Sequence, residues 1–365
     1  MTEKPPPIPR LRAMTGLAGR FALIGAVLGL LAGSFAYVAG WLSPGRLTPE
    51  RIVDALSARG GDPVGHRRNH AKGVCFTGTF EANGAGQRLS AAPVLAAGRY
   101  PVVGRFAIAT GDPQAPDASG RVRSMAIRVT APDGQEWRSG MNAMPVFPLA
   151  TPEAFYEQTV AARVDPATGR PDPQALQRFA AAHPETAPFV EWARTAPWTA
   201  SYAEESYNSL NAFRFVDAAG VRRNVRWSML ASVPQQATTP AELAKLGPDF
   251  LAQDLMARLR EAPLRWNLMV TVAEPGDPVN DPTRAWPSER EQVQVGTLVV
   301  ERAEAEANGP CRDLNFDPLV LPAGIEPSED PILLARSPAY ANSFNRRESE
   351  AGHLPAPRPA TGGAK

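Results

Sequence analysis

His70 lies in a stretch whose residue types could support proton transfer. Arg67 stands three residues before it, and an apolar, β-branched run over residues 74–80 follows it. An imidazole is well suited to general acid–base chemistry near neutral pH. A single histidine at the start of a strand is more often structural, so a catalytic role for His70 depends on what the rest of the chain supplies.

Asn142 is a second polar residue that could meet a small substrate. It lies in a loop-like segment, residues 139–147, where an asparagine could equally fix a turn. Thirteen residues later Phe155 falls in a helix that Thr151 and Pro152 are expected to open. Phe155 is a candidate either for a helix core or for a ring that contacts a cofactor.

Arg336 and Tyr340 are four residues apart near the end of the chain. At this spacing two side chains share one face of a helix. A guanidinium close to a phenol favours the phenolate, and a phenolate is a suitable ligand for ferric iron. Taken alone, the pair is common on helix surfaces and predicts nothing further.

The composition excludes several kinds of function. Of 365 residues, 38 are Lys or Arg and 37 are Asp or Glu, so no basic field favours nucleic acid as a partner. Two cysteines, Cys75 and Cys311, and four scattered histidines exclude a disulfide framework and argue against a zinc or non-haem iron site. Whether the two cysteines pair is left open at this stage.

Residues 21–41 form an uncharged apolar run that follows Lys4, Arg10, Arg12 and Arg20. About 20 apolar residues suffice for a helix to cross a membrane, and preceding basic residues favour a cytoplasmic N-terminus. A cleaved signal peptide is the alternative, although its apolar core is usually only ~7–15 residues long. We predict an uncleaved single-pass anchor in the inner membrane, with the remaining chain in the periplasm.

The other elements that must position the candidate residues are mostly strands. Hydrophobic alternation and turn signals predict strands near residues 74–80, 100–109, 122–130, 211–217, 221–229, 266–272 and 295–300. Helices are predicted over residues 48–58, 151–162, 172–182, 185–195 and 248–261, with a last helix beginning near Pro331. His183 ends one of these helices and is interpreted as a surface or capping residue.

Several stretches resemble segments of the haem catalases, in that family's order. The first is Arg67-x-x-His70-Ala-Lys-Gly, which resembles the distal haem-side motif, and residues 333–347 resemble the proximal haem helix. The Asp-Pro-Thr-x-x-Trp-Pro segment at residues 281–287 and the Val-Gly-x-Leu-Val run at 295–299 are specific matches. Further matches are residues 101–106, 121–128, 139–147 and 315–328.

The resemblance implies an α+β protein, with an eight-stranded antiparallel β-barrel, surrounding helices and haem b at the side of the barrel. It further implies that His70 moves a peroxide proton and that Asn142 donates a hydrogen bond to peroxide. Tyr340 would bind the iron, and Arg336 would stabilise its phenolate. Phe155 would lie against the haem, while Arg67, Arg105 and Arg347 would pair with its propionates. Ala107 stands where the family has a serine that bonds the distal histidine, so we expect His70 to lack that partner.

The chain is most similar to the short, membrane-tethered catalase-related peroxidases. This predicts a haem peroxidase that reduces hydrogen peroxide or an organic peroxide with a small organic electron donor and releases only weak oxygen from peroxide alone. The alternative is a tethered haem-binding or sensing protein without catalysis. The expected organisation is a basic N-terminus (1–20), an anchor (21–41), a linker (42–65), a haem domain (66–350) and a disordered tail (351–365).

Overall fold

The computed structural model describes residues 17–39, 41–43, 45–165 and 167–353. Most of the predicted basic N-terminus and most of the predicted tail therefore lie outside the described residues. The helices are α1 (Leu17–Val38), α2 (Pro49–Arg59), α3 (Pro152–Ala161), α4 (Pro173–Ala182), α5 (Ala187–Thr195), α6 (Pro240–Leu243), α7 (Phe250–Glu261) and α8 (Pro331–His353).

The strands are β1 (Gly73–Ala82), β2 (Gly98–Ile108), β3 (Arg123–Thr130), β4 (Glu136–Asn142), β5 (Val164–Asp165), β6 (Arg170–Pro171), β7 (Tyr207–Asn208), β8 (Phe213–Val216), β9 (Arg222–Ala231), β10 (Leu264–Val272), β11 (Gln292–Ala305) and β12 (Ile325–Pro327).

Eight of these strands close into an antiparallel barrel, as the sequence predicts. Their order is β10-β11-β1-β2-β3-β4-β7-β9, and a direct pairing of β9 with β10 completes the ring. β8 and β12 extend from β9 outside this ring. Closure removes the exposed strand edges that would otherwise invite aggregation.

The barrel closes around large buried side chains that alternate along its strands. On β3, Met125, Ile127 and Val129 are buried in the core, as the period of two along a strand requires. The ring of Phe106 lies 4.7 Å from that of Phe76 and 5.5 Å from that of Trp266. The interior of this barrel is therefore filled by protein, and a large ligand has to bind outside it.

Helices α2, α3 and α8 pack against one another outside the barrel. α8 begins at Pro331, as predicted, and continues through Pro338. α2 falls in the range that we predicted as a linker, but Ile52, Val53 and Leu56 are buried and line the cavity described below. The compact unit accordingly begins at Pro49.

The apolar run near the N-terminus forms helix α1, which belongs to a separate unit that ends at Thr48. Its stretch Gly19–Val38 is long and apolar enough to cross a membrane, a property that it shares with signal sequences. The helix begins before the predicted anchor at residues 21–41 and ends at Val38, so Trp41 follows the helix. The structure is thus consistent with either interpretation of this run.

Cys75 and Cys311 form a disulfide that joins parts of the chain 236 residues apart. It fastens the segment after β11 to strand β1, and Phe316 packs against it. This settles the pairing that the sequence left open. Cross-links that close long loops typically stabilise the folded state by ~2–4 kcal/mol.

Candidate functional site

One cavity lies between the outer face of the barrel wall and helices α2, α3 and α8. It contains about 1420 Å³ of space between protein atoms, part of it open solvent. All eight predicted site residues line it: Arg67, His70, Arg105, Asn142, Phe155, Arg336, Tyr340 and Arg347.

The strand register explains why residues distant in sequence meet at this cavity. Ala107 pairs with Ser124, and Ser124 pairs with Asn142, across β2, β3 and β4. Cross-strand partners point to the same face of a sheet, here the face opposite the buried core residues. This first row of the barrel wall therefore presents a methyl group, a hydroxyl and an amide to the cavity.

A second row lies two residues away along the same strands. Arg105 pairs with Ala126, and Ala126 with Gly140. Two residues along a strand correspond to about 6.6 Å, so the two rows form neighbouring levels of one wall. The small residues at positions 126 and 140 leave space that helix α8 partly fills.

His70 is held in an unusual backbone conformation in front of the first row. Its φ of 55° lies in the left-handed region, which costs a residue with a Cβ of order 1–3 kcal/mol and is found at functional sites. The flanking segment is fixed by hydrogen bonds from the Ala71 amide to the Thr110 carbonyl (2.8 Å) and from the Ile108 amide to the Lys72 carbonyl (3.3 Å). The ring is consequently aimed at the cavity by its backbone.

The electrostatic surroundings keep the His70 imidazole neutral. Burial lowers its pKa to about 3, with further contributions from the guanidinium groups of Arg105, Arg336, Arg59 and Arg67. A neutral imidazole keeps a lone pair for a proton, which a general base requires. His70 is thus in the protonation state that the proposed chemistry needs at neutral pH.

Ala107 gives His70 no hydrogen bond, as expected, but a different residue supplies one. The ring Nδ1 atom lies 3.1 Å from the hydroxyl of Ser124, which is the direct neighbour of Ala107 on the adjacent strand. The same Ser124 hydroxyl donates to Asn142 Oδ1 at 2.5 Å. The physical reason is the register, because one row of side chains brings a hydroxyl to the ring from β3 instead of β2.

Tyr340 faces the second row from helix α8, together with Arg336. A Cβ placed on Gly140 would lie 3.4 Å from Tyr340 Oη and 2.9 Å from Arg336 Nη2, so a side chain at this position would displace the Arg336 guanidinium. Arg336 Cζ is 5.8 Å from the centre of the Tyr340 ring. The phenol oxygen therefore lies at the barrel wall with a cation beside it.

A buried polar chain fixes Arg336. The guanidinium donates to Asn211 Oδ1 at 2.8 Å and to the Gly140 carbonyl at 3.2 Å. Asn211 in turn donates to Asp330 Oδ2 at 2.7 Å, and Asp330 Oδ1 accepts from the Ile332 amide (2.9 Å) at the start of α8. These hydrogen bonds link the Arg336 guanidinium to the barrel at one end and to the start of α8 at the other. The position of Arg336 against the barrel is therefore fixed.

Arg67 and Arg105 meet at a carboxylate that the sequence pattern did not single out. Glu306 accepts from Arg105 Nε at 2.9 Å and from Arg105 Nη2 at 2.6 Å, and it also pairs with Arg67. Burial alone would raise the pKa of Glu306, but Arg105 and Arg67 bring it below its ordinary value. Burial and the nearby Arg105 lower the pKa of Arg67 to about 9.

Aromatic rings form the remaining wall of the cavity. The ring of Phe155 stacks on that of Phe147, with their centres 6.1 Å apart. Both are partly exposed and line the cavity, where their faces could contact a flat apolar ligand. Phe155 is therefore not a core residue of α3.

Sequence reasoning missed Ser124, Asn211, Glu306 and Asp330. Two of them had a signal: strict alternation along residues 122–130 places Ser124 on the polar face, and Asp330 before Pro331 is a common start of a helix. Glu306 and Asn211 had none, because their contacts depend on tertiary structure. His183 caps α4 and bonds Glu185 and Glu157 away from the cavity, in agreement with its predicted surface role.

Comparison with known proteins identifies the family. The catalase family model matches residues 43–362. A catalase-related peroxidase of Synechococcus elongatus is 38% identical over 301 residues, which are 82% of this chain and 89% of that protein. A catalase-related peroxidase of Mycolicibacterium paratuberculosis is 34% identical over 306 residues, 83% of this chain and 96% of that protein.

A solved bacterial catalase shares the fold, with a TM-score of 0.70 at 22% identity over 83% of this chain and 61% of that one. The barrel with its surrounding helices is thus a catalase-like fold. On the family model and the two relatives, the chain belongs to the catalase family.

Proposed function

We propose that the protein is a haem-dependent peroxidase, an oxidoreductase that reduces hydrogen peroxide or organic peroxides with a small organic electron donor. The observation that carries the proposal is the meeting of all eight candidate residues at one cavity. His70 and Asn142 belong to one level of its wall, and Tyr340 reaches the other level from α8. Two relatives named catalase-related peroxidase support the same class of reaction.

The residues at the cavity fit haem b. Arg67 and Arg105 share the carboxylate of Glu306, and Arg347 lies beside them with Glu348 at 3.6 Å, so three guanidinium groups are placed where they could pair with two propionates. Arg347 Nη2 is buried and makes no hydrogen bond within the described chain, and its nearest carboxylate oxygen, on Glu348, is 3.6 Å away. A carboxylate of the cofactor would satisfy this donor.

The donor set at the other side of the cavity also fits haem. Tyr340 would supply an oxygen ligand to the iron, with Arg336 beside it to favour the anionic form. Phe155 and Phe147 would lie against the ring system. When bound, haem supplies the iron that accepts oxidising equivalents from peroxide and passes them to a donor.

The chain's own residues would manage the proton and the peroxide. Neutral His70 would accept a proton from one peroxide oxygen and return it to the other, so that the second oxygen leaves as water. Asn142 would donate a hydrogen bond that holds peroxide beside the ring. In the complete reaction a donor loses two electrons and two protons, and one peroxide becomes two waters.

The test compares two activities on one preparation. Haem-loaded protein should oxidise phenolic or aromatic amine donors in the presence of peroxide, while an oxygen electrode records only weak oxygen release without donor. His183→Gln should behave like the original protein, since His183 lies away from the cavity. Rapid oxygen release with negligible donor oxidation would make the protein a true catalase.

The alternative function is haem binding or sensing without turnover. Such a protein would need Tyr340 and the arginines, but not His70 together with Asn142. In the same assay it would bind haem and show neither donor oxidation nor oxygen release. That result would replace the proposed peroxidase with a carrier or sensor.

We further propose a single-pass inner-membrane protein with the haem domain in the periplasm. The support is the apolar helix α1 after basic residues and the Cys75–Cys311 disulfide, since disulfides persist in oxidising compartments. The proposed haem domain spans residues 66–350, and α2 packs with it. Membrane attachment depends on α1 remaining uncleaved.

Protease added to spheroplasts should therefore degrade the haem domain while cytoplasmic markers survive. The expected cause is that residues after α1 lie outside the inner membrane. Detergent-lysed cells serve as the control in which both are degraded. Protection of the haem domain in intact spheroplasts would reverse the topology, and a soluble periplasmic form lacking α1 would indicate a cleaved signal peptide.

A further inference from the structure

We infer that Ser124 is a positioning residue whose single hydroxyl sets both the tautomer of His70 and the amide orientation of Asn142. The inference rests on the proposed function for its catalytic meaning, since it concerns the base and the peroxide donor of that reaction. Its geometry is independent of that function. Ser124 is 9% exposed and lies between the two residues it contacts.

The hydrogen-bond partner of Ser124 determines where its hydroxyl proton lies. The contact between Ser124 Oγ and the Asn142 side chain is 2.5 Å. The Asn142 atom that faces Ser124 is the carbonyl oxygen Oδ1, which can only accept, so the hydroxyl proton is used in this bond.

The use of that proton fixes the histidine. With its one proton committed, the Ser124 oxygen can only accept from His70 Nδ1, which lies 3.1 Å away. Nδ1 must then carry the imidazole proton, and Nε2 is left with the free lone pair. The same bond leaves the Asn142 NH₂ group free to act as a donor. One hydroxyl thus orders base and donor together.

This chain presents the hydroxyl from β3, at Ser124, whereas the family pattern has it at the position of Ala107 on β2. Catalases usually have a serine at the position of Ala107, and Ala107 and Ser124 are direct cross-strand partners on the same face. Asn142 is the next partner in this row. A hydroxyl on β3 stands closer to Asn142 in the register than one on β2, which allows it to bond both residues.

The test uses nitrogen-15 NMR of the four imidazoles in haem-free protein, with His70 assigned by its loss in His70→Gln. The original protein should show the Nδ1-protonated tautomer of His70. Ser124→Ala should shift His70 to a tautomer mixture, and Ser124→Thr, which keeps a hydroxyl, should not. The double variant Ser124→Ala/Ala107→Ser should keep the tautomer mixture, because a hydroxyl on β2 is not the register partner of Asn142 and its proton stays uncommitted. Ser119→Ala, on an exposed hydroxyl, is the matched control.

In haem-loaded protein, Ser124→Ala should slow the reaction with peroxide by about 10–10²-fold, a typical loss when a catalytic group is misplaced by about 1 Å. A changed tautomer with an unchanged rate would support the positioning role and refute the base role of His70. An unchanged tautomer in Ser124→Ala, or an Nε2-protonated His70 in the original protein, would overturn the inference.

Discussion

Tyr340→Phe should lose most of the haem. The substitution removes the phenol oxygen that α8 presents at the barrel wall, where a Cβ on Gly140 would lie 3.4 Å from it. Loss of a residue that only hydrogen-bonds a metal ligand typically costs ~10–100-fold in metal affinity. Loss of the ligand itself should therefore cost at least ~10²-fold. Haem content per chain and the rate of haem transfer to an acceptor protein measure the effect.

A second tyrosine provides the control for this change. Tyr156 lies on α3, accepts a hydrogen bond from Arg51 at 3.5 Å and does not line the cavity. Tyr156→Phe should keep haem content and spectrum. If Tyr340→Phe also kept both, the iron ligand would have to be another residue.

His70→Ala should keep haem but react with peroxide ~10²–10⁴-fold more slowly, since this is what general-base assistance contributes. The change removes no group that would hold the cofactor, and alanine keeps the strain of the left-handed backbone position because it also carries a Cβ. Stopped-flow mixing with peroxide, followed at the haem absorption band, measures the rate. A rate equal to that of the original protein would make His70 structural.

The pH dependence gives a further check on His70. Burial and nearby guanidinium groups lower the pKa of His70 to about 3, and the base is available only above its pKa. The original protein should therefore keep its peroxide rate as the pH falls from neutral to about 5, rather than losing it near the ordinary value of about 6.5. His183→Gln should follow the same profile.

Local patterns predicted most elements because they depend on neighbouring residues. The alternation around residues 122–130 became β3, the helix predicted to begin near Pro331 became α8, and Thr151 caps α3 by accepting from the Ala154 amide at 3.2 Å. Barrel closure came from the family resemblance, since no local pattern states that β9 pairs with β10. The candidate residues also came largely from that resemblance.

The errors concern contacts between strands. Ala107 was interpreted as the loss of a hydrogen bond because the sequence does not show which residue lies beside it on the next strand. The strand register places Ser124 beside Ala107, and the sequence alone does not show this pairing. Glu306 was missed for a similar reason, because its partners Arg67 and Arg105 are over 200 residues away in the chain.

We propose that one cavity holds haem between Tyr340 and His70 and uses peroxide to oxidise a donor. The most direct measurement is the absorption spectrum of the purified full-length protein, recorded before peroxide, after one equivalent of peroxide, and after a phenolic donor is added. We predict a ferric haem spectrum typical of phenolate ligation that changes with peroxide and returns with donor. Protein without a haem spectrum after loading with haem b, or a haem spectrum that peroxide leaves unchanged, would contradict the account.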